Sequence, residues 1–177
     1  MDIEVALHDA GPATDWAARA TVGQWVGIAG PRGSMVVPTG FDWHWLLGDE
    51  TALPAVARRL AELPASAVAT VRIQLNNLAD QRVLASAAQV DLQWVNALPA
   101  AVEALALPPG AGFVWAAGEH SDMAAVRRAM LAKPGVDPKR MRISAYWKRG
   151  AADHHEDLVS AAAVSYTHLT LPTKRIV

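Results

Sequence analysis

Four short stretches carry side chains whose types and spacing suit chemistry. In GPAT, Gly11, Pro12, Ala13 and Thr14 open a short helical run, with Trp16 just beyond. A hydroxyl and free backbone N–H groups at the positive end of a helix dipole make an anion site. The same residues equally suit an ordinary capped helix after a turn. In GDETALP, Asp49 and Glu50 precede Thr51, Ala52, Leu53 and Pro54. Thr51 reads as the N-cap, and Pro54 is tolerated in the first turn because its missing N–H would have no partner there. The two acids favour the helix dipole by about 0.3–1 kcal/mol each, but they repel phosphate. As ligand contacts they suit hydroxyl or amide donors.

The third stretch is AGEHSDM, where Gly118 and Glu119 close an apolar run and His120 and Ser121 follow. A carboxylate at that place can accept from a carboxamide or a ribose; it can also be a solvated loop acid. The fourth is YWKRG. Trp147, Lys148 and Arg149 set two cations beside an aromatic ring, which suits an anionic, aromatic-rich ligand. A plain basic strand end has the same composition. His154 and His155 are adjacent, so they do not face one ion, and no spaced partner set accompanies them. Gly-x-Ser-x-Gly, P-loop and His-Glu-x-x-His patterns are absent. Cysteine is absent too, which removes disulfides, thiolate chemistry and Cys-held metals. No metal site is expected.

These stretches need a frame. Of the 177 residues, 52% are hydrophobic and 19% charged, the range of a soluble globular chain of one or two domains. The formal net charge of −1 gives no general pull toward nucleic acid or an anionic membrane. No apolar run approaches the ~18 residues of a membrane span, and no secretory signal pattern is visible. The expected location is cytoplasmic.

Along the chain, residues 1–8 alternate as a strand through Ile3, Val5 and Leu7. A short helix is expected over 14–20, a strand over 25–30, and a turn at GPRGS. From Trp43 onward strands and helices alternate. WHWLLG reads as a buried strand. Leu53, Val56 and Leu60 then make one helix face, with Arg58, Arg59 and Glu62 outward. ATVRIQL sets Val71, Ile73 and Leu75 against Arg72 and Gln74. VDLQWV sets Val90, Leu92 and Trp94 inward. A helix is expected over 98–106, a strand over GFVWAAGE, a helix capped by Ser121 with Met123, Val126 and Met130 buried, and a last strand over MRISAYW. Of the seven tryptophans, Trp43, Trp45, Trp94 and Trp115 fall in these strands and suit core packing. The fold class expected is α/β, a parallel sheet with helices on both faces. Ligands on such sheets sit at the carboxyl ends of strands, which selects the loops at 48–53, 76–82 and 118–122.

Taken in order, LHDAGPATDWAARA, VGIAGPRGS, LLGDETALPAVARRL, VWAAGEHSDMAAVRR and ISAYWKRG resemble the siderophore-interacting protein family, over residues 2 to about 150. The family consists of flavin-containing ferric-siderophore reductases of ferredoxin-reductase type. The resemblance implies that residues 1–34 are the remnant of an FAD-binding β-barrel and 35–150 a nicotinamide-nucleotide domain, with 151–163 a C-terminal segment. It implies that His8 and residues 11–14 approach the FAD phosphates, with Trp16 nearby. The GDETALP loop, with Gly118 and Glu119, would face NADPH or NADH. Trp147, Lys148 and Arg149 would face the anionic ferric siderophore. Asn76 and Asn77 close the second strand where an acid would favour NADH, and with Arg82 downstream they lean toward NADPH. The family's Arg-x-Tyr-Thr/Ser flavin motif is absent, so the chain by itself is expected to purify without flavin and to be inactive. A general flavin reductase on the same fold, or a non-catalytic siderophore-binding accessory, remain the alternatives. The tail VSYTHLTLPT, from Val164, resembles a translated sequencing adapter; residues 164–177 are set aside, Tyr166 and His168 with them.

Overall fold

The structure is a computed structural model that describes residue 5 and residues 12–27, 37–151 and 156–158. The chain divides into two units, residues 1–38 and residues 39–177. In the first, α1 (Pro12–Arg19) opens on a proline, carries Asp15 in its first turn and Arg19 in its last, as a helix dipole favours. The strand expected over 25–30 does not form in its described part. Residues 24–27 are irregular, and Trp25 is almost fully exposed. The strand expected over 1–8 and the GPRGS turn lie outside the described residues.

The second unit is a six-stranded sheet ordered β3-β2-β1-β4-β5-β6. Its strands are β1 (Trp43–Asp49), β2 (Val68–Gln74), β3 (Gln89–Val95), β4 (Gly112–Glu119), β5 (Met141–Trp147) and β6 (Glu156–Asp157). The first five pair parallel, and β6 joins β5 antiparallel. Every residue of β1 is buried, as a central strand covered on both faces requires.

Helix α2 (Leu53–Glu62) covers one face. Its Leu53, Val56 and Leu60 pack with Leu46, Val71 and Ile73. Helices α3 (Leu98–Ala104) and α4 (His120–Leu131) cover the other, where Leu98, Val102, Met123, Val126 and Met130 meet Trp45, Leu47, Val114 and Ile143. Burial of each such side chain contributes about 1.5–3 kcal/mol. The helical spacing therefore fixes the faces as expected. Strand β3 differs, because it is an edge: Val90 is exposed, and Leu92 and Trp94 are only half-buried.

Arg72 differs more. Alternation sets it opposite the Val71/Ile73 face, but that face is also covered, so Arg72 is buried. Its guanidinium pairs with the Asp91 carboxylate at 2.7 Å and donates to the carbonyls of Val71 and Asp91 at 2.8 and 3.0 Å. A buried cation needs that full set of acceptors.

Because α2 follows β1 on one face and α4 follows β4 on the other, the strand order reverses between β1 and β4. Their carboxyl ends meet at Gly48 and Ala117. A Cβ on Gly48 would lie 2.5 Å from the Ala52 Cβ and 2.6 Å from the Ala117 carbonyl oxygen, whereas one on Gly40 would meet nothing. Gly48→Ala should therefore cost about 1–3 kcal/mol by overpacking, and Gly40→Ala less than about 0.5 kcal/mol. Urea unfolding of both variants checks this.

Candidate functional site

The reversal point between β1 and β4 is where a doubly wound sheet opens a crevice. Asp49, Glu50, Thr51, Ala52, Gly118, Glu119 and Trp147 all lie there, at the carboxyl ends of β1, β4 and β5, and Lys148 and Arg149 follow directly. Pro12, Ala13, Thr14 and Trp16 belong to the other unit. His8 and Gly11 lie outside the described residues, as do His154 and His155.

Asp49 is buried and organises the edge. Its Oδ1 accepts from the Thr51 N–H at 2.9 Å and the Thr51 hydroxyl at 2.5 Å. Its Oδ2 accepts from the Glu119 N–H at 2.8 Å and the Trp147 indole N–H at 2.9 Å. Thr51 is thus not the N-cap. Asp49 caps a 3-10 turn, Glu50–Ala52, that leads into α2. The first carboxylate of the acid pair, two residues before Thr51, reaches the free N–H and takes the threonine hydroxyl as well.

Glu119 does the same for α4. Its Oε2 accepts from the Ser121 and Asp122 N–H groups at 2.6 and 3.3 Å, and its Oε1 from the Arg149 N–H at 3.2 Å. The cap is therefore Glu119 and not Ser121. Burial pushes the Glu119 carboxyl up; the N–H groups of Arg149, Ser121 and Asp122 and the Ser121 hydroxyl outweigh it and hold the group below its ordinary value of 4.5.

Glu50 accepts from the side-chain and backbone N–H of Asn76 at 2.9 and 3.3 Å, which ties the loops after β1 and β2. Gln74 ties two more elements, donating to Asp122 at 3.3 Å and accepting from the Leu98 N–H at 2.6 Å. Asn77 caps its own short turn through the Ala79 N–H. Asp49 thus engages the Thr51 N–H of the 3-10 turn and Glu119 the Ser121 and Asp122 N–H groups of α4, whereas the first residue position of α2 has no side-chain cap. The exposed Thr51 and Ser121 and the half-exposed Glu50 present a surface for hydroxyl and amide groups.

In the first unit the chemistry is the opposite. The Thr14 hydroxyl is buried at the first turn of α1 and has no hydrogen-bond partner among the described residues. A hydroxyl without a described partner at a helix start fits an anionic oxygen. Trp16, half-buried to exposed, lines a shallow depression with Pro12, Asp15, Arg19 and Gln24.

Residues 41–150 match the family model for siderophore-interacting proteins. The chain belongs to the siderophore-interacting protein family. Residues 1–35 also match the siderophore-interacting FAD-binding domain. The chain is 32% identical over 154 residues to the NADPH-dependent ferric-chelate reductase of Escherichia coli K12, covering 83% of this chain and 60% of that protein. It is 28% identical over 170 residues to the ferric vibriobactin reductase ViuB of Vibrio cholerae, covering 89% and 63%. Among solved structures, a siderophore utilization protein from T. fusca superposes with TM-score 0.75 at 34% identity, over 85% of this chain and 61% of that one. The chain thus spans about three fifths of the length of the relatives it matches. That likeness matches the α/β sheet and the ferredoxin-reductase-like fold class. No described helix is long and apolar enough to cross a membrane, and the described residues hold no metal-binding cluster.

Sequence reasoning missed the tie from Trp147 to Asp49 and the tie from Glu119 to Arg149. Both join residues far apart in the chain. It also missed His44, fully buried in β1, whose imidazole is held below its ordinary 6.5 by burial, with the Thr39 backbone opposing and the Arg59 charge assisting. Both groups give signed pH effects. His44 binds protons more readily unfolded, so stability is full above 6.5 and falls as pH drops toward its lower folded value. Glu119 holds its proton less readily folded, so its contribution is full above 4.5 and is lost as pH falls through its folded value. Melting curves against pH should show two acid losses. His44→Leu should abolish the upper one and Glu119→Gln the lower.

Proposed function

We propose that the protein belongs to an FAD-dependent ferric-siderophore reductase that uses NAD(P)H to reduce chelated Fe(III) and release the iron. The observation that carries this is the exposed Lys148–Arg149 pair at the carboxyl edge of a siderophore-interacting fold. The pair sits on a tight turn closed by the Ala151 N–H on the Lys148 carbonyl at 3.0 Å, with Gly150 at φ 76°. Glycine is the residue that takes that conformation without strain. Two cations beside the partly exposed Trp147 ring attract a polyanionic, aromatic ferric chelate and hold it near the sheet edge.

The first unit fits FAD. In this reading His8 and Gly11–Thr14 approach its phosphates, with the orphaned Thr14 hydroxyl as donor and Trp16 beside them. The crevice fits the hydroxyl-bearing and amide-bearing part of a nicotinamide nucleotide, at Glu50, Thr51, Ala52 and Gly118, with Asp49 and Glu119 shaping the floor. Its phosphates are disfavoured at the Thr51, Ser121 and Asp122 N–H groups, which Asp49 and Glu119 already engage. Bound flavin would supply the chemistry that converts a two-electron hydride donor into single electrons for Fe(III). The side chains supply position and charge, and no residue here is given an acid, base or nucleophilic role.

In the flavin-loaded protein, Lys148→Ala/Arg149→Ala should lower kcat/KM for an anionic ferric siderophore about 5–10-fold at low salt, since exposed charges contribute up to about 1 kcal/mol each. The effect should shrink at high salt, and reduction of a neutral electron acceptor should be spared. Equal loss for both acceptors would point to a general flavin reductase. Absence of NAD(P)H oxidation would point to a non-catalytic siderophore-binding accessory. Residues 74–77 carry no acid at the end of β2 to refuse a 2′-phosphate. NADPH should therefore be preferred over NADH in steady-state turnover, and a strong NADH preference would refute that choice.

A further inference from the structure

We infer that Asp49, with Trp147 and Glu119, forms a clamp that fixes the Lys148–Arg149 turn, so that the crevice acids act on the ferric chelate through the turn. The inference rests on the reading that this turn meets the chelate. Strand β5 leaves its register opposite the end of β4: Gly118 pairs with Ala145, but Glu119 pairs with Trp147, so Tyr146 is the extra residue. A one-residue slip turns the following side chains to the other face. It brings the Trp147 indole N–H to 2.9 Å from Asp49 Oδ2. Tyr146 meanwhile packs edge-on against Trp115. One residue past the turn's first cation, the Arg149 N–H donates to Glu119 Oε1. Glu119 is in turn tied to Asp49 through its own N–H.

The turn is therefore gripped on both sides of Lys148, and both grips end on Asp49. Asp49 is too buried to touch a bulky chelate itself. Gly118 completes the device, since a Cβ there would lie 2.7 Å from Asp49 Oδ2 and close the space the indole N–H enters. Holding two long cationic side chains on a rigid base reduces the ordering cost of binding. Asp49, Glu119 and the indole nitrogen are positioning groups in this scheme.

The test uses the full chain and four variants: Asp49→Asn, Trp147→Phe, the two combined, and Lys148→Ala/Arg149→Ala. Amide hydrogen exchange reads the clamp, with a β1 amide reporting global stability. Calorimetric titration reads affinity for an anionic ferric tris-catecholate and a neutral ferric tris-hydroxamate. Trp147→Phe keeps an aromatic face and both cations, and it keeps the variant set interpretable if Asp49→Asn does not fold. Loss of one hydrogen bond should speed Arg149 exchange and weaken tris-catecholate binding about 5-fold, with tris-hydroxamate affinity unchanged. The Asp49→Asn/Trp147→Phe double variant should be no worse than either single one. Unchanged Arg149 exchange with unchanged affinity, or additive losses in the double variant, would overturn the clamp and leave the chelate reading standing. Undiminished tris-catecholate binding by Lys148→Ala/Arg149→Ala, with the clamp intact by exchange, would instead overturn the chelate reading.

Discussion

A carboxylate removed from water has to find donors for its lone pairs or lose several kcal/mol. Asp49 meets that demand with four donors drawn from the turn after β1, the end of β4 and the end of β5. Much of the local geometry follows from it. The chain enters α2 through a 3-10 turn because Thr51 folds back onto Asp49. Position 118 has to be glycine-sized because Asp49 Oδ2 occupies the space. Strand β5 slips register where the indole N–H has to face inward.

Parts of this were readable in the amino-acid order. Leu53, Val56 and Leu60, or Met123, Val126 and Met130, reveal their faces because a helix repeats every 3.6 residues and burial acts on side chains locally. Strands β1 and β4 declare themselves by unbroken apolar runs, as central parallel strands do. The caps were misplaced for a related reason. Thr51 and Ser121 have the residue types that cap helices, but Asp49 and Glu119 each stand two residues earlier and reach the same N–H groups. Choosing between a hydroxyl and a carboxylate depends on the other donors available to the carboxylate. Those come from residues 70 and 98 positions away for Asp49, and sequence spacing carries no trace of them. Arg72 was read as the polar side of an alternating strand; its burial follows from α3 covering that side, a property of the assembled layers.

The siderophore-interacting resemblance names Asp49, Glu50, Thr51, Gly118, Glu119 and Trp147, which the fold brings to one sheet edge, and leaves their division of labour open. The geometry separates them by what each atom already holds. Asp49 and Glu119 spend their oxygens on the protein. Glu50 spends its oxygens on Asn76 but remains half-exposed. Thr51, Ser121, Lys148 and Arg149 face outward. The same acids cap the 3-10 turn before α2 and the start of α4, which weakens the positive field at those N–H groups.

In the proposed reading the same acids bear on the basic turn. Lys148 and Arg149 are exposed on a turn whose backbone is anchored to Asp49 and Glu119, and each of those acids also engages N–H groups where a helical segment begins. A buried carboxylate would thus lower the attraction of the turn before α2 for an anion and stiffen the basic turn. Both effects depend on Asp49 staying dry. Asp49 is buried, and its oxygens are taken by the Thr51, Glu119 and Trp147 donors.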